Sequence, residues 1–160
     1  AGDVNGDGLA DVVVGSRGAE QVYVYLGSVQ GLPASPSTVL NAPPQYARDG
    51  YFGTSVSSAG DVNGDGFDDV VTGDSYDVYD SQVHVYAGGA SGLSTSVLAT
   101  VTAASPDSTY TVSSVGDVNG DGFDDVLVNL AVLGNLEADG DAVYLGTATG
   151  LSSSPAVNLE

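Results

Sequence analysis

The chain has 160 residues, 42% of them hydrophobic, and no cysteine. That apolar content suffices for a packed core, while the lack of Cys excludes a disulfide framework and any thiolate metal site or nucleophile. Acidic residues number 21 against 2 basic ones, a formal net charge of -19, which argues against nucleic acid and anionic membrane surfaces as partners, since both are bound through Lys and Arg.

The first motif along the chain is Asp3-Val4-Asn5-Gly6-Asp7-Gly8-Leu9-Ala10-Asp11. It recurs as Asp61-Val62-Asn63-Gly64-Asp65-Gly66-Phe67-Asp68-Asp69 and as Asp117-Val118-Asn119-Gly120-Asp121-Gly122-Phe123-Asp124-Asp125. Oxygen-bearing side chains fall at loop positions 1, 3, 5 and 9, with glycine at 4 and 6. A hard cation needs this pattern: many oxygen ligands from one short segment, and glycines that let the backbone curl around the ion. Position 7 (Leu9, Phe67, Phe123) offers its backbone carbonyl while its side chain packs inward. About three Ca2+ per chain are expected on this chemistry. Asp68 and Asp124, at position 8, are replaced by Ala10 in the first unit and read as solvated surface charges rather than ligands.

A helix–loop–helix calcium site is the rival. It wants a bidentate Glu at position 12 between two helices, but position 12 here is Val14, Thr72 or Val128, inside a strand pattern. A metal-free turn rich in Asp and Asn leaves unexplained why three like-charged carboxylates converge within nine residues.

Each loop leads into a β-branched run: Val12-Val13-Val14, Val70-Val71-Thr72 and Val126-Leu127-Val128. After a variable polar segment comes an alternating strand, Val22 to Leu26, Val83 to Ala87 and Ala142 to Leu145. A G-x-x-x-G-L turn follows (Gly27 to Leu32, Gly88 to Leu93, Gly146 to Leu151), and a Ser/Thr/Val-rich strand closes each unit. Before the second and third loops lies one further strand, Gly53 to Ala59 and Thr109 to Val115. Nothing has helical periodicity, and short Val-, Thr- and Tyr-rich segments bounded by Gly, Pro, Asp and Ser read as strands. Four strands at a period of roughly 57 residues are the signature of a β-propeller blade. The predicted fold is therefore all-β over residues 1–160, in repeats of about 1–41, 50–101 and 108–159. With the strands named A (before the loop), B, C and D, the metal loop is the A–B hairpin. The G-x-x-x-G-L turn is the C–D hairpin on the same rim.

The combination Phe52-Gly53-Thr54-Ser55-Val56, Gly60-Asp61-Val62-Asn63-Gly64-Asp65-Gly66, Asp69-Val70-Val71 and Gly73 resembles the FG-GAP repeat of integrin α-subunit propellers. The resemblance covers essentially the whole chain. It implies seven-bladed propellers, calcium held in the A–B hairpins, and use in adhesion or ligand binding. Carried over residue by residue, it places calcium on Asp61, Asn63, Asp65, the Phe67 carbonyl and Asp69, and on the matching Asp3, Asn5, Asp7, Leu9, Asp11 and Asp117, Asn119, Asp121, Phe123, Asp125. The third unit departs from the pattern with Ser108-Thr109 in place of Phe52-Gly53, and with Asn129 in place of Gly15 and Gly73. The first unit begins at its loop, so the chain is one strand short of three complete blades. The incomplete ring is expected to be completed by oligomerisation, by other propeller blades, or by sequence missing here.

The leading functional expectation is a non-enzymatic module for extracellular adhesion or for binding a protein or glycan, with calcium mainly structural. Weak multi-oxygen calcium loops are typical of extracellular modules, which points to an extracellular or cell-surface location. No signal peptide or transmembrane run is present, so the chain reads as a mature piece or a fragment. One alternative is a lectin with sugar pockets on the propeller; another is a self-assembling propeller fragment with no ligand of its own. Enzymatic nucleophile–base pairs are missing, because the chain lacks Cys and Lys and its one histidine, His84, reads as a strand-face residue. The tyrosines Tyr25, Tyr86 and Tyr144 recur once per unit and are expected to pack between blades. Ligand recognition is expected on the rim opposite the loops, where Asn41 to Tyr51 (with Pro43, Pro44, Tyr46 and Arg48) and the acidic, aromatic cluster Asp74, Tyr76, Asp77, Tyr79 and Asp80 lie.

Overall fold

A computed structural model describes residues 1–43, 51–73, 82–102, 108–132 and 140–159. The described residues form antiparallel sheets built in chain order. The first sheet holds β1 (Val12–Ser16), β2 (Gln21–Tyr25) and β3 (Thr38–Asn41). The second holds β4 (Ser55–Gly60), β5 (Asp69–Gly73), β6 (Gln82–Tyr86) and β7 (Val97–Thr102). The third runs β8 (Ser108–Gly116), β9 (Asp125–Val132), β10 (Gly140–Tyr144) and, at its outer edge, β13 (Val157–Leu159). Ahead of β1, Gly2 makes only an isolated bridge to Asp11, so the first sheet has three strands where the other two have four.

The sheets stack face to face, as blades do, because alternate residues of each strand point to opposite faces. From the first sheet, Val22, Val24 and Leu40 meet Phe52, Val70, Tyr86 and Leu93 in one buried cluster. From the second sheet's other face, Val71, Val83 and Val85 meet Val112, Val126, Val128, Tyr144 and Leu151 in another. Every residue of β5 and β6 is accordingly buried. Tyr86 and Tyr144 lie between blades, as expected, while Tyr25 is half-buried on the first sheet's outward face. His84 is buried on β6, its Nδ1 3.1 Å from the Thr100 hydroxyl, which makes it a packed strand residue.

Three details depart from the pattern read in the sequence. The third G-x-x-x-G-L turn contains a ribbon of its own, β11 (Gly146–Thr147) with β12 (Gly150–Leu151). β7 continues to Thr102, past the Ser96-Val97-Leu98-Ala99 run that reads in the sequence as the closing strand, because β6 offers partners as far as Gln82. Register shifts occur at Ser58/Gly60 and Ser114/Gly116, where β4 and β8 enter their loops. Gly60 and Gly116 take φ of 74° and 71° there, a conformation that favours glycine. Among the described residues the only helical segment is one 3-10 turn, Arg17–Ala19, and no helix is long and apolar enough to cross a membrane.

The end sheets keep one face open. Val118 is 57% exposed, although its counterparts Val4 and Val62 are 0% exposed beneath the following blade. On the first sheet, Val12, Val14 and Leu32 are exposed, whereas the matching Val70 and Val126, Thr72 and Val128, and Leu93 and Leu151 are buried. Asn129 fits the same logic. A Cβ on Gly15 would lie 2.1 Å from the Gly53 carbonyl oxygen of the next blade, whereas Asn129 is half-buried and reaches Asp141 within its own sheet. The cluster Asp74, Tyr76, Asp77, Tyr79 and Asp80 lies outside the described residues, as do Pro44, Tyr46 and Arg48.

Candidate metal centre

The three loops fold alike. Glycines at positions 4 and 6 all take positive φ: 71° and 85° for Gly6 and Gly8, 75° and 88° for Gly64 and Gly66, 77° and 93° for Gly120 and Gly122. These left-handed residues turn successive backbone N–H groups toward the position-1 carboxylate. Asp61 accepts from Gly64 at 2.7 Å, Asp65 at 3.0 Å and Gly66 at 2.8 Å. Asp117 accepts from Gly120 at 2.7 Å, Asp121 at 3.1 Å and Gly122 at 2.8 Å, and these bonds, Gly122's foremost, hold its carboxyl below the usual range. Asp3 accepts from Asp7 and Gly8. At position 3, the side-chain oxygens of Asn5, Asn63 and Asn119 each accept from the residue two further on. At position 5, the carboxylates of Asp7, Asp65 and Asp121 accept from Leu9, Phe67 and Phe123 in turn. The oxygens of positions 1, 3 and 5 are thereby gathered within each loop.

Position 9 is placed differently. The Asp69 carboxylate is 0% exposed and bridges two turns: one oxygen accepts from the Val62 N–H at 3.1 Å, the other from the Gly88 N–H at 2.9 Å. Asp11 does the same for Val4 and Gly27, and Asp125 for Val118 and Gly146. Each position-9 carboxylate therefore clips the A–B loop to the start of the C–D turn. Burial pushes the Asp69 carboxyl up to about 7; the two N–H bonds oppose this, and the nearby Asp65 and Asp61 charges add to it.

Position 8 corrects an expectation. Asp68 and Asp124 are not simply solvated charges, since each reaches into the preceding blade. Asp68 accepts the Asp3 N–H at 2.6 Å, and Asp124 accepts the Asp61 N–H at 2.9 Å. In return the Asp68 and Asp124 N–H groups donate to the carbonyls of Asp3 and Asp61, at 3.2 and 3.0 Å. The neighbouring Phe67 and Phe123 rings cover Gly6 and Gly64, where an added Cβ would meet ring carbons at 2.8 and 2.7 Å. Only the Ala10 substitution hinted in the sequence that position 8 differs between units, and no local spacing reveals a partner in another blade.

The blades also meet through backbone. A Cβ on Gly88 would lie 2.4 Å from the Asp68 carbonyl oxygen and 2.8 Å from that of Val4. Gly88→Ala should cost about 1–3 kcal/mol or more, because backbone on both sides has nowhere to move. Gly89→Ala, whose Cβ would meet nothing nearer than 3.8 Å, should leave stability near wild type. Urea denaturation of the pair measures the contrast.

The donors are all oxygen, which suits a hard divalent cation rather than a soft one. A carboxylate oxygen that accepts one N–H keeps a lone pair for a metal, so the donor chemistry of positions 1, 3 and 5 fits such an ion. Among the described residues, no three acidic or histidine side chains stand close enough together to chelate an ion as placed.

Comparison with known proteins assigns the family. The model of a family described as "FG-GAP-like repeat" matches residues 3–72 and 61–128. The chain is 43% identical over 77 residues to integrin alpha-X of Mus musculus, a stretch that is 45% of this chain and 7% of that protein. It is 42% identical over 77 residues to integrin alpha-PS3 of Drosophila melanogaster, with the same coverage. To integrin alpha-6 of Homo sapiens it is 32% identical over 135 residues, 79% of this chain and 11% of that one. The chain thus spans a small part of these relatives' length. Stacked sheets of three and four strands, one glycine-turned acidic loop per sheet, and family matches that together run from residue 3 to residue 128 agree: the chain belongs to the FG-GAP-like repeat family.

Proposed function

We propose that the chain is a calcium-stabilised, non-enzymatic propeller module for adhesion or ligand binding at the cell surface or outside the cell. The observation that carries the calcium reading is electrostatic. Burial is the main cause that raises the Asp69 carboxyl to about 7, and the Asp65 and Asp61 charges of the same loop add to it. Like charges held this close favour a cation that neutralises them. Asp3, Asn5 and Asp7, with the Leu9 carbonyl and Asp11, would hold one ion. The sets Asp61, Asn63, Asp65, Phe67, Asp69 and Asp117, Asn119, Asp121, Phe123, Asp125 would hold the others. The ion's chemistry would be charge neutralisation and loop closure, with no reaction at the metal. Calorimetric titration should give about three calcium ions per chain, the count that the loop chemistry implies; heat indistinguishable from dilution would refute the reading.

The adhesion reading is supported by the integrin alpha relatives and by the rigid scaffold that the loops clasp. The partners that complete the ring would be further blades, either copies of this chain or other propeller sequence. The exposed Val118 and Val157 on one end sheet, with Val12, Val14 and Leu32 on the other, support that. A panel of immobilised glycans and extracellular proteins, probed in calcium, tests for a ligand. Protein hits that persist at physiological salt support adhesion, whereas hits confined to sugars favour a lectin. An empty panel, together with concentration-dependent growth of the assembled mass, favours a fragment that only self-assembles.

A further inference from the structure

The loops of the first two blades each meet a position-8 carboxylate from the blade that follows. Loop two is backed by the next blade. The Asp124 carboxylate holds the Asp61 N–H at 2.9 Å, the Phe123 ring covers Gly64, and the Val62 carbonyl accepts from Thr147 at 3.0 Å. Loop one is backed the same way by Asp68, Phe67 and Gly89.

We infer that Asp68 and Asp124 are positioning residues for the cation loop of the preceding blade, so that each tightens calcium binding at that loop. This rests on the calcium reading above and extends it. Asp61 is the first residue of its ligand set. A hydrogen bond to its N–H fixes where its carboxylate starts, and the Phe123 ring limits the loop's freedom at Gly64. An ordered loop loses less entropy on closing around an ion, so it binds more tightly. Partners that orient metal ligands in this way are typically worth about 10–100-fold in affinity.

The amides of Gly8, Gly66 and Gly122, at position 6 of their loops, each report one site in a calcium titration followed by NMR. Asp124→Ala should move the Gly66 midpoint up roughly tenfold or more and leave Gly8 alone; Asp68→Ala should move Gly8 by as much and leave Gly66 alone. Asp124→Asn keeps an oxygen acceptor and should recover most of the lost affinity. If Asp124→Asn falls as far as Asp124→Ala, the carboxylate acts through its charge, and the positioning role is overturned. An unmoved Gly66 midpoint in Asp124→Ala would also overturn it while leaving calcium binding intact. If no glycine amide responds to calcium, the calcium reading itself fails.

Discussion

Excess chelator should lower the melting temperature of this protein steeply, and added calcium should restore it. The loops pack carboxylates together with few counter-charges to hand, in a chain of net charge -19. A ligand that binds only the folded state stabilises it by mass action, and one site at a hundredfold excess of free calcium over its Kd adds about 2.7 kcal/mol. In a chain of this size about 1 kcal/mol moves the melting temperature by about 2–4 °C, so each filled loop is worth roughly 5–10 °C. Loops one and two are hydrogen-bonded to the following blade, so losing their ions should loosen the contacts between sheets as well as the hairpins. Scanning calorimetry with calcium and with excess EDTA measures the difference. Superimposable melting curves would remove calcium from the account of stability.

Much of the fold can be read in the sequence because its signals are local. Val22-Tyr23-Val24-Tyr25 alternates with period 2, and each strand of this kind is bounded by glycine or by acidic turn residues. Each D-x-N-x-D-G segment announces its own curl, and its glycines take positive φ in all three copies. What could not be read is what depends on another blade. Asp68 and Asp124 look like ordinary surface acids within their own loops; their partners lie 65 and 63 residues away. The Gly116 and Gly60 surroundings differ only because one has a neighbouring Asp124 and the other has none. Repeat proteins hide this information by construction, since each unit carries the same letters and neighbours decide which letters are buried.

The same distinction separates two roles for the carboxylates of a single loop, and two substitutions resolve them. In excess EDTA, Asp69→Ala should be severely destabilising. It removes a side chain that is 0% exposed and leaves the Val62 and Gly88 N–H groups without their acceptor. A buried donor left unsatisfied costs about 1–3 kcal/mol, so the pair costs about 2–6 kcal/mol. That is a large fraction of the roughly 5–15 kcal/mol that keeps a domain folded. Relief of the buried charge offsets part of it, since burial already disfavours the ionised Asp69 carboxyl. Asp65→Ala touches the same loop, but Asp65 is exposed and, among the described residues, holds only the Phe67 N–H at 3.1 Å, which water replaces. Its stability in EDTA should stay near wild type, and its deficit should emerge only when calcium is added, as a smaller gain than the wild-type chain shows. Urea denaturation of both variants with and without calcium gives the comparison. If Asp69→Ala is as mild as Asp65→Ala in EDTA, the position-9 carboxylate acts through the ion alone, and the clip between the two turns carries no weight in the apo fold.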